Sequence, residues 1–527
     1  MQPTAVNPQP YLQFEETSDH VSQVLRDTST KNKVVKLPIR RKRGFIEDGD
    51  VDVAKSLRGR SVGSIVTPLR KTFRNIILPL GYPHSTPPEY TEFQLYNILQ
   101  DFCSYLRAVM STQAVLEGFG VGRSDVTSVQ ATVNWIIRDG ASLLGSLLFT
   151  GLSSADFGMN VKSWRYFADT INNVGITLDM LAPLTRRFFL PLICIGSVCK
   201  ALCGVAAGAA GAAISEHWGL KKGNIADVLA KNSAQHTIVS LIGLIFSIPF
   251  TKFANASRRR LWTIYSVLTV LHMMCNYRCM KLLSLRSINE TRLRILVSLY
   301  LDNEIVNNYL NHEFTAAVES QILPTKCNPK PLRSDQSSVI DQNQFTLREI
   351  AKRERICYPI LPKVVKGLLG ESEKNLVRIE FSMHPSRSIR ELSITQSELV
   401  NAFKEFKNKP YVLLYSKPKD QIKIVLKESV SVSISDDCLE ALIAAGVYRK
   451  ITSSLSLPSY STRNSNSSES DGYDSMGYAM KFSSCVSSSL AKEFKSLLSS
   501  CDYDLNRINI VPPSIRRIRN VTFLEAV

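Results

Sequence analysis

The sequence lacks the motifs that mark the common enzyme classes and small secreted domains. Its eleven cysteines include no CxxC pair, so neither a zinc ribbon nor a disulfide framework is indicated, and a reducing compartment is expected. No GxSxG, HExxH or Walker motif occurs, and no cysteine and histidine share a recognisable spacing. We therefore expect no catalytic residues, no cofactor and no metal.

The N-terminus lacks an apolar core that could serve as a signal peptide, so targeting from this end is not expected. Residues 1–64 are polar and without periodicity, which predicts a disordered basic tail. The basic run over residues 36–43 is compatible with a nuclear localisation signal, with a lipid-surface patch or with ordinary solvated chain. The sequence does not choose among these three.

Positive charge is abundant, and it is concentrated. The 527 residues hold 64 Lys and Arg against 46 Asp and Glu, a formal charge of +18. Twelve of the basic residues but only two acidic ones lie between residues 221 and 300, in one of the most apolar parts of the chain. This placement favours an anionic membrane surface. Nucleic acid is not expected as a partner, because the basic residues lack interleaved aromatics and no reading-helix motif occurs.

Four apolar stretches lie in the first half of the chain, over residues 135–152, 188–214, 237–250 and 261–277. A bilayer span takes about 20 mainly apolar residues. The second stretch is long enough, although Lys200 near its middle would be costly in a bilayer unless it snorkels or finds a partner. A membrane-embedded helical domain is favoured, with a soluble helical core as the alternative.

Basic residues flank these stretches or join them, and we expect them to contact lipid headgroups. They are Lys221, Lys222, Lys252, Arg258, Arg259 and Arg260.

The expected fold is mainly α, a multi-helix membrane domain followed by a small α+β module. Strand-like runs over residues 411–415 and 421–426 flank a turn and predict a hairpin, and residues 436–447 predict a capped helix. The expected divisions after the N-terminal tail are a helical domain over 65–310, a linker over 311–345, the α+β module over 346–452, a Ser-rich disordered linker over 453–484, and a helix with a basic tail over 485–527.

Two polar ladders stand out within the apolar half. Each places four polar residues on one helix face and contains an i,i+4 ion pair. Each could be the solvated face of a surface helix; alternatively, the ladders face each other or a ligand and line a polar site at the edge of the membrane domain. The first consists of Lys162, Arg165, Asp169 and Asn172, and the second of Asn224, Asp227, Lys231 and Gln235.

A series of short motifs occurs in a specific order over residues 65–300. They include Gly81-Tyr82-Pro83, Trp164-Arg165, Ala168-Asp169, Ala226-Asp227, Ala230-Lys231, Leu271-His272 and Asn276-Tyr277-Arg278. In order and spacing they resemble the root UVB sensitive (RUS) family, with a fainter likeness through the C-terminal module. The sequence departs from the family pattern at Asn173, Gly211 and His236, where Asp, Arg and Glu are usual.

The resemblance implies a membrane-associated protein with several hydrophobic segments, related to plant proteins linked to UV-B responses and vitamin B6 homeostasis. It implies no established reaction, and it places both ladders on family motifs. The expected function is a transport or scaffold role for a small metabolite at an intracellular membrane. The expected partners are the lipid bilayer and another RUS-family or membrane protein. The alternative is a soluble helical adaptor with a basic surface.

Overall fold

A computed structural model of the 527-residue chain provides the structure. It describes residues 13–17, 20–24, 38–40, 72–120, 128–153, 157–220, 223–319, 340–356, 378–382, 385–416, 420–427, 434–454 and 475–509. The remaining residues include Lys221 and Lys222, most of both predicted linkers and the basic C-terminal tail. Predictions made for them lie outside the described residues.

The chain divides into two units, residues 1–73 and 74–527. Within the first, three short strands form an antiparallel sheet in the order β1-β2-β3. They are β1 (Gln13–Thr17), β2 (His20–Val24) and β3 (Pro38–Arg40). Disorder in the rest of the predicted tail stays a prediction, because that part lies outside the described residues.

Six long helices form the first part of the second unit. The most extensive packing joins α3 to α4, α1 to α6 and α2 to α4. Their bounds are α1 (Tyr90–Gly118), α2 (Ser128–Ser153), α3 (Val161–Leu181), α4 (Phe189–Gly219), α5 (Ile225–Ala254) and α6 (Arg258–Leu282).

Two glycines shape the end of α1. The helix stops at Gly118, and Gly120 adopts a φ of +80°, a left-handed conformation that glycine reaches without strain. A side chain at Gly118 would collide with Phe189 at the start of α4. These glycines therefore end one helix and admit the close approach of another.

Two described helices, α4 and α5, are long and apolar enough to cross a membrane by length and composition. They carry the predicted stretches 188–214 and 237–250. The stretches 135–152 and 261–277 lie on α2 and α6, which are not among the candidates.

The C-terminal part combines helices with two small sheets around one hydrophobic core. The predicted hairpin is confirmed, since β6 and β7 pair antiparallel, and β5 joins β7 in parallel. A separate parallel pair joins β4 to β8. The strands are β4 (Ile288–Asn289), β5 (Arg378–Phe381), β6 (Tyr411–Ser416), β7 (Gln421–Leu426) and β8 (Ile508–Asn509). The helices are α7 (Glu290–Asp302), α8 (Glu304–Glu319), α9 (Leu347–Arg353), α10 (Pro385–Leu392), α11 (Gln396–Glu405), α12 (Ile434–Ser454) and α13 (Ser475–Ser500).

The hydrophobic core of the C-terminal part includes residues from both sides of the predicted boundaries. Leu296 and Tyr300 of α7 and Phe314 of α8 belong to the same core as β6, β7 and α12, although the predicted helical domain runs to residue 310. Helix α13 packs on α12 through Phe494 and its neighbours. The C-terminal core therefore begins near Ile288 and includes the last helix.

A buried ion cluster joins the two parts of this unit. Lys162 Nζ of α3 lies 2.7 Å from Glu354 Oε2, and Arg292 Nε of α7 lies 3.2 Å from the same oxygen. Burial favours the neutral form of Glu354, but the charges of Arg292 and Lys162 outweigh this effect and lower its pKa to about 2. Burial lowers the pKa of Lys162 to about 8, only partly opposed by Glu354. Glu354 is therefore ionised at neutral pH, and Lys162 is mostly protonated.

We expect Glu354→Gln to destabilise the protein by about 3–5 kcal/mol, because it leaves two buried cations without a carboxylate. Chemical unfolding at pH 7 measures the loss. In the wild type, Glu354 contributes stability above its unfolded pKa near 4.5, and this contribution is lost as the pH falls from about 4.5 toward about 2. Glu349→Gln is the matched control, because Glu349 is 32% exposed and its ion pairs with Lys352 and Arg353 lie at the surface; an equal loss there would contradict the assignment.

Candidate functional site

The interior of the helical bundle contains polar side chains arranged along α3. Arg165, Asp169, Asn173 and Asp179 follow one another over fourteen residues, which corresponds to about 21 Å along a helix. Asp169, Asn173 and Asp179 are buried, and Arg165 is half-buried. The helix thus presents a polar row to α1, α4 and α6.

Asp169 is the most heavily bonded residue of this row. Its Oδ2 accepts hydrogen bonds from Gln100 Nε2 of α1 at 2.7 Å and from Asn276 Nδ2 of α6. Its Oδ1 lies 3.5 Å from Arg165 Nη1. A carboxylate that is only 5% exposed needs such donors, because burying an unpaired charge costs several kcal/mol. One acidic side chain therefore links three helices.

Asp179 forms a second centre farther along α3. Lys200 Nζ of α4 lies 2.5 Å from its Oδ2, and Ser111 of α1 donates a hydrogen bond to the same oxygen at 2.6 Å. This ion pair supplies the partner that Lys200 requires within its apolar helix.

Arg107 of α1 lies between these centres and has a different environment. It is fully buried; its Nη1 donates to Asn173 Oδ1, and its Nε donates to the Cys103 carbonyl at 3.4 Å. Its Nη2 has no hydrogen-bond partner. No carboxylate of the described residues lies within ion-pair distance of it.

The first predicted ladder is thus divided. Arg165 and Asp169 face the interior, whereas Lys162 binds Glu354 of the C-terminal part. Asn172 is half-buried and makes no recorded hydrogen bond, while the adjacent Asn173 binds Arg107. Helical spacing did not predict which of these adjacent residues forms the bond, because they lie on either side of the ladder's centre, 100° apart. Arg107, Asp179 and Lys200 were missed as site residues, although isolated charges in apolar helices were the signal that could have found them.

Three side chains of the second ladder bind the backbone of residues 75–80. Lys231 Nζ donates to the Asn75 carbonyl at 2.6 Å, and Gln235 Nε2 donates to the Ile77 carbonyl at 2.7 Å. Asp227 Oδ2 accepts from the Leu80 backbone N–H at 2.7 Å. These three side chains therefore clamp residues 75–80 onto α5, and we call them the α5 clamp.

The remaining features of the second ladder are weaker. Asp227 and Lys231 form the predicted i,i+4 pair at 3.7 Å. Asn224 occupies the N-cap position of α5 without a side-chain capping bond. Among the described residues, no recorded hydrogen bond or ion pair connects the two ladders, so the hypothesis that they face each other gains no support here.

The basic residues expected at a membrane surface lie around the turn between α5 and α6. Lys252, Arg258, Arg259 and Arg260 are all exposed. The guanidinium of Arg260 stacks 4.9 Å from the centroid of the Phe253 ring. Lys221 and Lys222 lie outside the described residues. No group of three His, Cys, Asp or Glu in the described part of the chain could hold a metal ion.

Comparison with known proteins identifies the domain that contains the polar interior. A family model described as the vitamin B6 photo-protection and homoeostasis domain matches residues 65–304. The chain is 38% identical over 232 residues to RUS family member 1 of Dictyostelium discoideum, covering 44% of each chain. It is 35% identical over 261 residues to protein root UVB sensitive 3 of Arabidopsis thaliana, covering 48% of this chain and 58% of the relative. The aligned regions thus span about half of each relative, and no solved structure matches.

We expect Asp169→Asn to destabilise the helical bundle by roughly 3 kcal/mol. The amide removes the negative charge beside Arg165, and its NH2 group can face the NH2 donors of Gln100 and Asn276. Thermal or chemical unfolding of the detergent-solubilised protein measures the effect. Asn172→Ala, on the same helix, should change stability by about 0.5 kcal/mol or less. Equal losses in both variants would show that Asp169 is not the centre of the network.

We expect exchange of Asp227 and Lys231 to release residues 75–80, because Lys cannot accept the Leu80 N–H and Asp cannot donate to the Asn75 carbonyl. Trypsin cleavage at Arg74 should accelerate about tenfold or more, which corresponds to loss of roughly 1.4 kcal/mol of local stability. Asn224→Ala serves as the control and should leave the cleavage rate unchanged. An unchanged rate in the exchanged variant would exclude the clamp.

Proposed function

Because the chain belongs to the root UVB sensitive family through residues 65–304, we propose that these helices form a membrane-embedded domain whose polar interior handles a small metabolite in vitamin B6 homeostasis. The role is transport, or retention as a scaffold, without catalysis. The domain description supplies the link to vitamin B6.

The main support is the distribution of exposed apolar side chains. Among the described residues, every exposed large apolar side chain lies between Phe73 and Tyr277. The C-terminal part, from Leu283 onward, buries its large apolar side chains at least partly. Water would disfavour such an extensive apolar surface on one domain, whereas hydrocarbon would accept it.

The two longest apolar helices add to this support. A core helix of a soluble protein would be mostly buried, but the most apolar windows of α4 and α5 are only 28% and 22% buried. On α5, Leu241, Ile245 and Ile248 are each more than half exposed. We propose that α4 and α5 span the bilayer and that α2 and α6 contact lipid beside them.

The interior supports handling of a polar metabolite. Asp169, Asp179 and Arg107 are buried among helices whose outer faces are apolar, an arrangement that reverses the usual distribution in soluble proteins. Ionisable groups inside membrane domains are costly and commonly mark solute pathways. We propose that the polar row of α3 lines such a path.

The basic turn between α5 and α6 would orient the domain. Lys252 and Arg258 to Arg260 lie at the end of two apolar helices, where anionic headgroups of an intracellular membrane would attract them. The lipid bilayer is thus the proposed partner, together with another membrane protein or family member.

One observation favours the alternative of a soluble helical adaptor. Asp139 lies exposed in the middle of α2 beside the half-buried Arg138, and an exposed carboxylate is costly in hydrocarbon. In the adaptor, the apolar face of α2 would bind a partner protein instead of lipid.

Carbonate extraction and one substitution separate these proposals. The membrane domain predicts that the protein stays in the pellet and that Ile245→Lys reduces insertion, at a cost of about 2.5–3.5 kcal/mol near the bilayer centre. On a soluble adaptor the same substitution of a 74%-exposed residue would be harmless or would improve solubility. Asn408→Lys, on an exposed site of the C-terminal part, is the matched control. Release of the wild type into the supernatant would exclude the membrane domain.

The metabolic role has a separate test. Cells that lack the protein should show altered vitamin B6 vitamer levels, restored by the wild type and not by Asp169→Asn expressed at an equal level. If vitamer levels are unchanged while the protein still inserts into membranes, the proposed role in vitamin B6 homeostasis is rejected and the proposal of a membrane-embedded domain stands.

A further inference from the structure

Arg107 is a buried cation that has no carboxylate within ion-pair distance among the described residues. Its side chain has no solvent exposure, and the partners recorded for its guanidinium are the Asn173 side-chain oxygen and the Cys103 carbonyl. Both are neutral acceptors. A buried guanidinium gains much more from a carboxylate or phosphate, which can accept two parallel hydrogen bonds from it.

The two buried carboxylates of α3 are already engaged. Asp169 accepts from Gln100 and Asn276 and pairs with Arg165. Asp179 pairs with Lys200 and accepts from Ser111. Neither carboxylate therefore forms an ion pair with Arg107, although Asp169 is near enough for its charge to act on the guanidinium.

The region around Arg107 retains unused hydrogen-bonding capacity. Arg107 Nη2 has no partner, and neither has Nδ1 of His272, a side chain that is 1% exposed and close enough to Arg107 to be affected by its charge. Buried polar groups in folded proteins are nearly always paired, so two unpaired groups on neighbouring helices point to a missing bonding partner. An oxyanion would supply both the acceptor atoms and the negative charge.

We propose that Arg107 binds the phosphate or carboxylate group of a small solute in the interior of the helical domain. This assignment rests on the proposed function for its setting and extends it by giving the chemical class of the ligand. Arg107 supplies the fork-shaped donor, and Asn173 holds one side of that fork in place. His272 Nδ1 is the second unpaired polar atom of this region.

Asn173 offers a decisive substitution. Asn173→Asp is nearly isosteric and places a carboxylate where the amide oxygen now accepts from Arg107. The folded protein would then contain its own countercharge. If Arg107 serves a solute, this variant gains stability and loses its response to the solute, without removal of the arginine.

The experiment uses the purified full chain in detergent. Thermal unfolding is followed while sodium phosphate or sodium acetate is titrated against sodium chloride at matched ionic strength. We expect a saturable rise of the unfolding temperature with at least one of the two oxyanions and none with chloride, because a ligand of the folded state stabilises it by mass action. A response to phosphate alone identifies a phosphate ligand, and a response to acetate alone identifies a carboxylate.

The variants locate the response. Arg107→Gln should abolish it, and Asn173→Asp should abolish it while raising the unfolding temperature in the absence of oxyanion. Arg260→Gln, at the exposed α5–α6 turn, should retain the full response, which excludes Arg260 as the source of the response. A wild-type response in Asn173→Asp, its loss in Arg260→Gln, or no saturable response in the wild type overturns the proposal.

The result is independent of the tests of the proposed function. Absence of a saturable oxyanion response in the wild type, with normal membrane insertion and vitamer levels, would reject the Arg107 site and leave the proposed function standing. A saturable, Arg107-dependent response in a protein that carbonate releases from membranes would retain the site and reject the membrane setting.

Discussion

The structure of the helical domain depends on the requirement that polar groups buried among apolar helices find partners. Asp169 has the most such partners, since its carboxylate contacts Gln100 of α1, Arg165 of its own helix and Asn276 of α6. These bonds set how the three helices lie against one another. Dispersion between apolar surfaces is not directional, whereas each of these bonds requires a particular pair of atoms to meet.

The same requirement explains how the two parts of the second unit are joined. Glu354 lies beyond α9, and it meets Lys162 of α3 and Arg292 of α7 in a buried cluster. Lys281 at the end of α6 also donates to the carbonyls of Lys352 and Glu354. The C-terminal part is therefore held by charge and hydrogen bonding at the end of a bundle whose sides are apolar. If those sides contact lipid, this end would lie outside the bilayer.

The two ladders show which features of a site helical spacing can predict and which it cannot. Both contain the predicted ion pair, but one enters the polar interior and the other clamps residues 75–80. Asn172 and Asn173 differ by 100° around α3, and the side chain that binds Arg107 is the one outside the predicted set. Spacing assigns residues to a face. It does not state what that face meets, which depends on contacts between residues far apart in sequence, such as Asp227 with Leu80.

The sequence by itself determined the mainly helical class, the positions of the long apolar segments, the hairpin of β6 and β7 and the likeness to one family. These follow from local periodicity and from ordered motifs. Only the tertiary structure decided that Lys200 pairs with Asp179, that α7, α8 and α13 belong to the C-terminal core, and that Arg107 is buried beside a neutral partner. Each of these contacts joins residues that are far apart in the sequence. The free energy of a buried charge depends on which side chains the fold places beside it, and local sequence patterns do not specify those neighbours.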